Sequence, residues 1–165
     1  MNLTDPITKY MTDKELEGIA NATEVPLHYL LRHSTGFYDV ISSTEFYLAV
    51  LNDPTKQWTA EELLDIVRGK EADFAPNTSA GYSNTNYLLL AIIIEKATGK
   101  TVEELLRSKI FTPLGMHDTY YHWKDALPED KVAQGYFDLY QNNKLVNLSN
   151  WNTGSGNGYG GMFST

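Results

Sequence analysis

The chain has 165 residues, 42% of them hydrophobic, a net charge of −8 and no cysteine. That composition suits a globular domain with a real core. It excludes disulfides, thiolate metal sites and cysteine nucleophiles, and an acidic chain without a Lys/Arg cluster is not a nucleic-acid binder. The longest apolar run, Leu88 to Ile94, is too short to span a bilayer. Met1-Asn2-Leu3-Thr4-Asp5-Pro6 is not a signal peptide, since no basic stretch leads into an apolar one.

Leu3 to Tyr10 reads as an entry segment around Pro6, and Thr12-Asp13-Lys14-Glu15 has the spacing of a capping box. Pro26 to His33 reads as a helix capped from Thr23, with Leu27, Leu30 and Leu31 on one face and Gly36 as its stop. Ser43 or Thr44 caps the next helix, Glu45 to about Leu51, whose candidate core residues are Phe46, Tyr47 and Val50. After the turn at Asn52-Asp53-Pro54, Thr59-Ala60-Glu61-Glu62 repeats the capping box ahead of Leu63, Leu64, Ile66 and Val67, with Gly69 as stop.

Residues 70–82 read as a loop rich in Pro, Asn, Ser and Gly. Asn84 to Ala97 follows as the most apolar helix, ending at Gly99. Its apolar residues run nearly all round, which predicts a place at the centre of the core. Thr101-Val102-Glu103-Glu104 caps a helix to about Ile110 that Pro113 terminates. Val132 to Tyr140 and Lys144 to Leu148 read as short strands around Gln141-Asn142-Asn143, and a glycine-rich stretch runs from Gly154 to Gly161. The expected fold class is mainly α with a small β-hairpin. The expected organisation is one segment, helical over 1–119, with the hairpin and glycine-rich loop over 120–165.

Gly81-Tyr82-Ser83-Asn84 admits several readings on local sequence. A nucleophile elbow needs Gly-x-Ser-x-Gly, and position 85 is Thr. Ser83 or Asn84 as a helix cap is the structural alternative. The third takes Tyr82 and Asn84 as a Tyr-x-Asn pair. His28 and His33, and likewise His117 and His122, lack the spacing of helical metal pairs, so His33 is read as a packing or hydrogen-bonding residue beside Gly36. Asp118 and Asp125 read as solvated loop residues. The aromatics Tyr120, Tyr121, Trp123, Tyr136, Tyr140, Trp151 and Tyr159 read as core and rim packing or as a cleft wall, with Tyr159 the best wall candidate.

Taken in order, these motifs resemble a known family. Leu3 to Tyr10 resembles Leu-x-Asp-Pro-Ile-x-x-Tyr, and Leu30 to Gly36 resembles Leu-Leu-x-His-x-Ser-Gly with Thr35 in place of Ser. Phe74-Ala75-Pro76-Asn77 resembles Phe-x-Pro-Gly, and Asn77 tolerates the left-handed turn Gly would make. Pro113-Leu114-Gly115-Met116-His117-Asp118-Thr119 and Gly160-Gly161-Met162-Phe163-Ser164-Thr165 complete the series. The family is that of the class C type serine β-lactamases, the D-alanyl-D-alanine carboxypeptidases and the related esterases.

The resemblance implies the helical lobe of the β-lactamase/transpeptidase-like fold, with most of the α/β lobe absent. It implies an acyl-enzyme serine hydrolase acting on β-lactam, D-Ala-D-Ala peptide or ester substrates. Tyr82 would be the proton-moving tyrosine and Asn84 the residue that orients a lysine and the substrate amide, and Tyr159, Gly160 and Gly161 would border the substrate. No cofactor or metal is implied, and the family is periplasmic, secreted or cell-surface.

The family's Ser-x-x-Lys does not occur in the chain, nor does Lys-Thr-Gly or His-Thr-Gly. Thr98-Gly99-Lys100-Thr101 lies at a helix end. The resemblance sets the nucleophile helix before position 1 and the late strands after 165, which implies an interior segment, inactive alone. The alternatives are a stand-alone helical module that binds a partner or forms a homodimer through an exposed apolar face, and a complete enzyme of unrelated type.

Overall fold

Threonines at helix starts set much of the architecture. In the computed structural model, which describes residues 1–128 and 132–165, Thr12, Thr59 and Thr101 each accept a hydrogen bond from the backbone N–H three residues on. The glutamate there bonds back to the threonine N–H. These reciprocal caps satisfy donors the first helical turn leaves free. They open α1 (Asp13–Leu16), α4 (Ala60–Val67) and α6 (Val102–Leu106). Ser43 caps α3 (Thr44–Asn52).

α2 (Leu27–Leu31) departs from expectation at both ends. Pro26, not Thr23, occupies the cap position, and it makes no side-chain cap bond. The helix stops before Gly36 because His33 already takes a left-handed backbone, φ 54. Gly36 serves a different need: at φ +73, a Cβ there would lie 1.9 Å from the Phe74 carbonyl oxygen. Only glycine lets the two strands of loop pass so closely. Asn77 has φ 60, so it makes the left-handed turn expected of it.

α5 (Asn84–Thr98) is the central helix and ends at Gly99 in the left-handed conformation. Leu88, Leu89 and Ile93 are fully buried, and α2 and α4 pack against it. Leu63, Leu64, Ile66 and Val67 of α4 all enter the core, as their pattern predicts. Leu31 and Tyr47 do not: they are 42% and 50% exposed, while Leu27, Leu30, Phe46 and Val50 are buried. The entry segment pairs with the approach to α2, through Ile7 N–H to Val25 O (3.1 Å) and Leu27 N–H to Asp5 O (3.0 Å).

After α6 the chain makes a wider π-helical turn over Arg107–Phe111. The hairpin appears as β2 (Tyr136–Phe137) antiparallel to β3 (Val146–Asn147). A further pair was not expected: β1 (Tyr120–Tyr121) lies antiparallel to β4 (Met162–Phe163). The glycine-rich stretch between β3 and β4 lies on α5. A Cβ at Gly158 would meet Tyr87 O at 2.4 Å and Ala91 Cβ at 2.5 Å. The architecture is thus helical with small antiparallel sheets. Among the described residues no helix is long and apolar enough to cross a membrane.

Candidate active site

The site forms where the loop after α2 meets the first turn of α5. Ser83 holds the cap position with an extended backbone, yet its hydroxyl makes no cap bond. It is buried and points to Tyr38 O at 3.4 Å, away from any nucleophilic use. Asp39 takes over the cap from a distant part of the chain, accepting from the Asn84 backbone N–H at 3.0 Å. A carboxylate at a helix N-terminus also meets the positive end of the helix dipole.

The Asn84 side chain is 7% exposed, and its Nδ2 donates to both Asp39 oxygens at 3.1 Å. Its Oδ1 is left to accept from the Tyr82 hydroxyl at 3.3 Å. Tyr82 itself is 69% exposed. So the two residues of the expected pair come together, one buried and fixed, the other open to solvent.

Further side chains stitch the loop to the helix. Thr85 Oγ1 donates to Tyr38 O (2.7 Å) and accepts from Val40 N–H (3.1 Å). Asn86 is fully buried; its Oδ1 accepts from Thr35 Oγ1 (2.7 Å), and its Nδ2 faces Ser83 O and His33 Nδ1, both at 3.2 Å. His33 Nδ1 also accepts from Ser83 N–H at 3.3 Å. Two donors on Nδ1 require it to be bare, so the ring proton sits on Nε2. The ring lies between Tyr82 and Tyr87, with centroids 4.5 and 5.3 Å away. His33 is therefore a hydrogen-bonding residue, as its sequence setting suggested.

Tyr159, Gly160 and Gly161 do not join this pair through any hydrogen bond or ring contact among the described residues. Tyr159 is a core residue, 5% exposed, whose hydroxyl donates to Thr153 O at 3.1 Å. Burial, with the Asp39 charge adding to it, pushes that hydroxyl well above the ordinary phenol range. Gly160 is exposed and Gly161 half-buried, leading into β4, where Gly161 O accepts from His122 N–H at 2.6 Å. The cleft-wall reading of Tyr159 thus gives way to packing in this chain. Tyr121 is likewise buried, and its hydroxyl accepts from Gly158 N–H at 2.9 Å. Among the described residues no cluster of His, Asp or Glu could hold a metal ion.

Asp39 is the residue that sequence reasoning missed. Its signal was available: a lone carboxylate inside the otherwise apolar and aromatic run Phe37-Tyr38-Asp39-Val40-Ile41. Nothing local showed that it would be paired with a residue 45 positions on.

The family model described as Beta-lactamase matches residues 1–165, the whole chain. A penicillin-binding protein of Bacillus subtilis strain 168 is 34% identical over 121 residues, covering 70% of this chain and 26% of that protein. The crystal structure of a D-stereospecific amidohydrolase from Streptomyces superposes with a TM-score of 0.85 at 26% identity, over 98% of this chain and 49% of that one. The D-amino acid amidase of Ochrobactrum anthropi SV3 gives a TM-score of 0.76 at 30% identity, over 99% of this chain and 44% of that one. The chain thus spans about a quarter of the length of the curated relative and under half of each solved structure. On the match of motifs and fold, and of the family model over the whole of this chain, the chain belongs to the beta-lactamase-related family of serine hydrolases.

Proposed function

We propose that this chain supplies the Tyr-x-Asn wall of an acyl-transfer cleft in a serine hydrolase. The observation that carries this is the exposed Tyr82 hydroxyl held 3.3 Å from the Oδ1 of a buried, immobilised Asn84. In an acyl-enzyme mechanism Tyr82 moves a proton to or from the nucleophile or the leaving group. Asn84 orients the cationic neighbour and the substrate amide. The chain is best read as the helical lobe of the fold, with residues 1–119 forming the helical body and 120–165 the hairpin and glycine-rich loop.

The substrate class we favour is a D-configured aminoacyl ester or amide. The solved structures named above are a D-stereospecific amidohydrolase and a D-amino acid amidase. β-Lactams and D-Ala-D-Ala peptides share the same acyl chemistry. The chain carries no Ser-x-x-Lys, and loss of the nucleophile costs a serine hydrolase on the order of 10⁶ in turnover. The chain alone should leave D-alanine amides, esters and a chromogenic cephalosporin intact, and penicillin should add no mass to it. Mixed with a polypeptide carrying Ser-x-x-Lys and Lys-Thr-Gly, it should contribute to turnover, and Tyr82→Phe should remove that contribution. A stoichiometric penicillin adduct on the chain alone would refute the reading.

A second reading, self-association without catalysis, draws on Ile41, Tyr47 and Leu48, which are 47%, 50% and 52% exposed. Exposed apolar side chains near one another favour an interface. Sedimentation separates the two: a concentration-dependent dimer abolished by Leu48→Glu supports the second reading.

A further inference from the structure

We propose that Asp39 is a positioning residue that dictates which end of the Asn84 amide faces Tyr82. It thereby sets which side of the Tyr82 hydroxyl faces the cleft. This rests on the reading of Tyr82 and Asn84 as cleft residues and adds the group that sets their polarity.

An asparagine amide is nearly symmetric in shape, with a donor end and an acceptor end. Most sites leave its orientation to a balance of neighbours. Here both carboxylate oxygens of Asp39 lie 3.1 Å from one terminal atom of Asn84. A carboxylate only accepts, so that atom has to be the NH2 nitrogen. Asp39 is held in turn. Its Oδ1 also accepts from the backbone N–H groups of Asn84 (3.0 Å) and Ile41 (3.4 Å), so it cannot swing aside without uncapping α5.

The consequence passes outward. With its NH2 turned to Asp39, through one N–H shared between the two carboxylate oxygens, Asn84 presents Oδ1 to Tyr82, and the Tyr82 hydroxyl donates to that oxygen. The lone pairs of the Tyr82 oxygen are then left for the open side. The site presents acceptors to whatever docks there, which selects an ammonium or amide N–H over a carboxylate. Hydrogen bonds to an ionised partner are about twice as strong as neutral ones, so this polarity is firmly set.

Asp39→Asn tests the point. The substituted amide keeps one acceptor oxygen, which the backbone N–H groups of Asn84 and Ile41 claim. Its NH2 would then oppose the Asn84 NH2, and relief comes from Asn84 turning over, NH2 outward. Hydrogen exchange of the full chain by NMR reads this directly. In the wild type the Asn84 side-chain NH2 should be protected. In Asp39→Asn it should exchange roughly 10- to 100-fold faster, the loss of one charged hydrogen bond, while the Asn84 backbone N–H keeps its protection. Asp39→Ala should release both. Equal loss at side chain and backbone in Asp39→Asn would reduce Asp39 to a helix cap, and unchanged side-chain protection would remove the proposal altogether. Exchange is blind to turnover, so a failed acylation assay and a failed amide flip remain separate results.

Discussion

The His33 ring lies 4.5 Å from the Tyr82 ring while its Nδ1 accepts from the backbone one residue further on, Ser83 N–H. One side chain thus supports both the exposed phenol and the turn that carries it. His33→Ala should leave Ser83 N–H and one Asn86 donor without partners, at about 1–3 kcal/mol for each buried group. Urea unfolding measures the loss. At pH 8 the imidazole nitrogen shifts should show the Nε2–H tautomer; an Nδ1–H tautomer would contradict the geometry.

Gly36→Ala should be severe for its size. The backbone there has φ +73, and the added carbon would sit 1.9 Å from Phe74 O. The loop carrying Asp73, whose N–H donates to Gly36 O at 2.9 Å, would have to move. A destabilisation of at least about 2 kcal/mol is expected, seen as a lower urea midpoint at unchanged slope. A midpoint equal to wild type would mean the two segments are not held together in solution.

Leucines of the same composition should behave oppositely. Leu88 is fully buried in α5, and Leu88→Ala should cost about 2–5 kcal/mol through lost burial and a cavity. Leu48 is 52% exposed, and Leu48→Ala should stay within about 0.5 kcal/mol. A large loss at Leu48 would show that its face is covered in solution.

Acid should act through Glu15. Its carboxylate meets the Lys96 ammonium at the far end of α5 and takes the N–H and hydroxyl of Thr12, which hold it down to about 2 from its ordinary 4.5. A depressed carboxylate stabilises the fold fully above about 4.5, and the contribution fades as pH falls towards about 2. Glu15→Gln should therefore lower the melting temperature near neutral pH. It should also flatten the fall in stability between those limits. A parallel offset at every pH would assign the acid sensitivity elsewhere.

Local features were legible in the sequence wherever the partner lies within one helical turn. Thr12, Thr59 and Thr101 announced their caps because the responding glutamate is three residues away. The limits of α5 followed from its apolar run and Gly99. Tyr82 and Asn84 were singled out through family resemblance; their hydroxyl and amide oxygen lie 3.3 Å apart, a closeness open to any residues two positions apart. What stayed hidden is what depends on distance along the chain. Asp39 capping α5, Thr35 meeting Asn86, and β1 pairing with β4 each join segments some 40 residues or more apart. Leu31 and Tyr47 were misplaced because helical periodicity marks a face without saying how wide the covering element is. Tyr159 was misplaced because an aromatic beside glycines suits a rim and a core equally well until the tail is seen folded back.

Gly158 has a consequence for how such a protein can diversify. The backbone at this point rests on α5 with no room for a side chain, against Tyr87 O and Ala91 Cβ. The glycine-rich stretch is therefore a keyed strap across the helix whose first turn bears Asn84. Natural drift or a randomised library can lengthen or recolour the hairpin tip around Asn142 freely. Insertions that shift the frame at Gly158 should be purged, because they would lift the strap and jostle the helix beneath it.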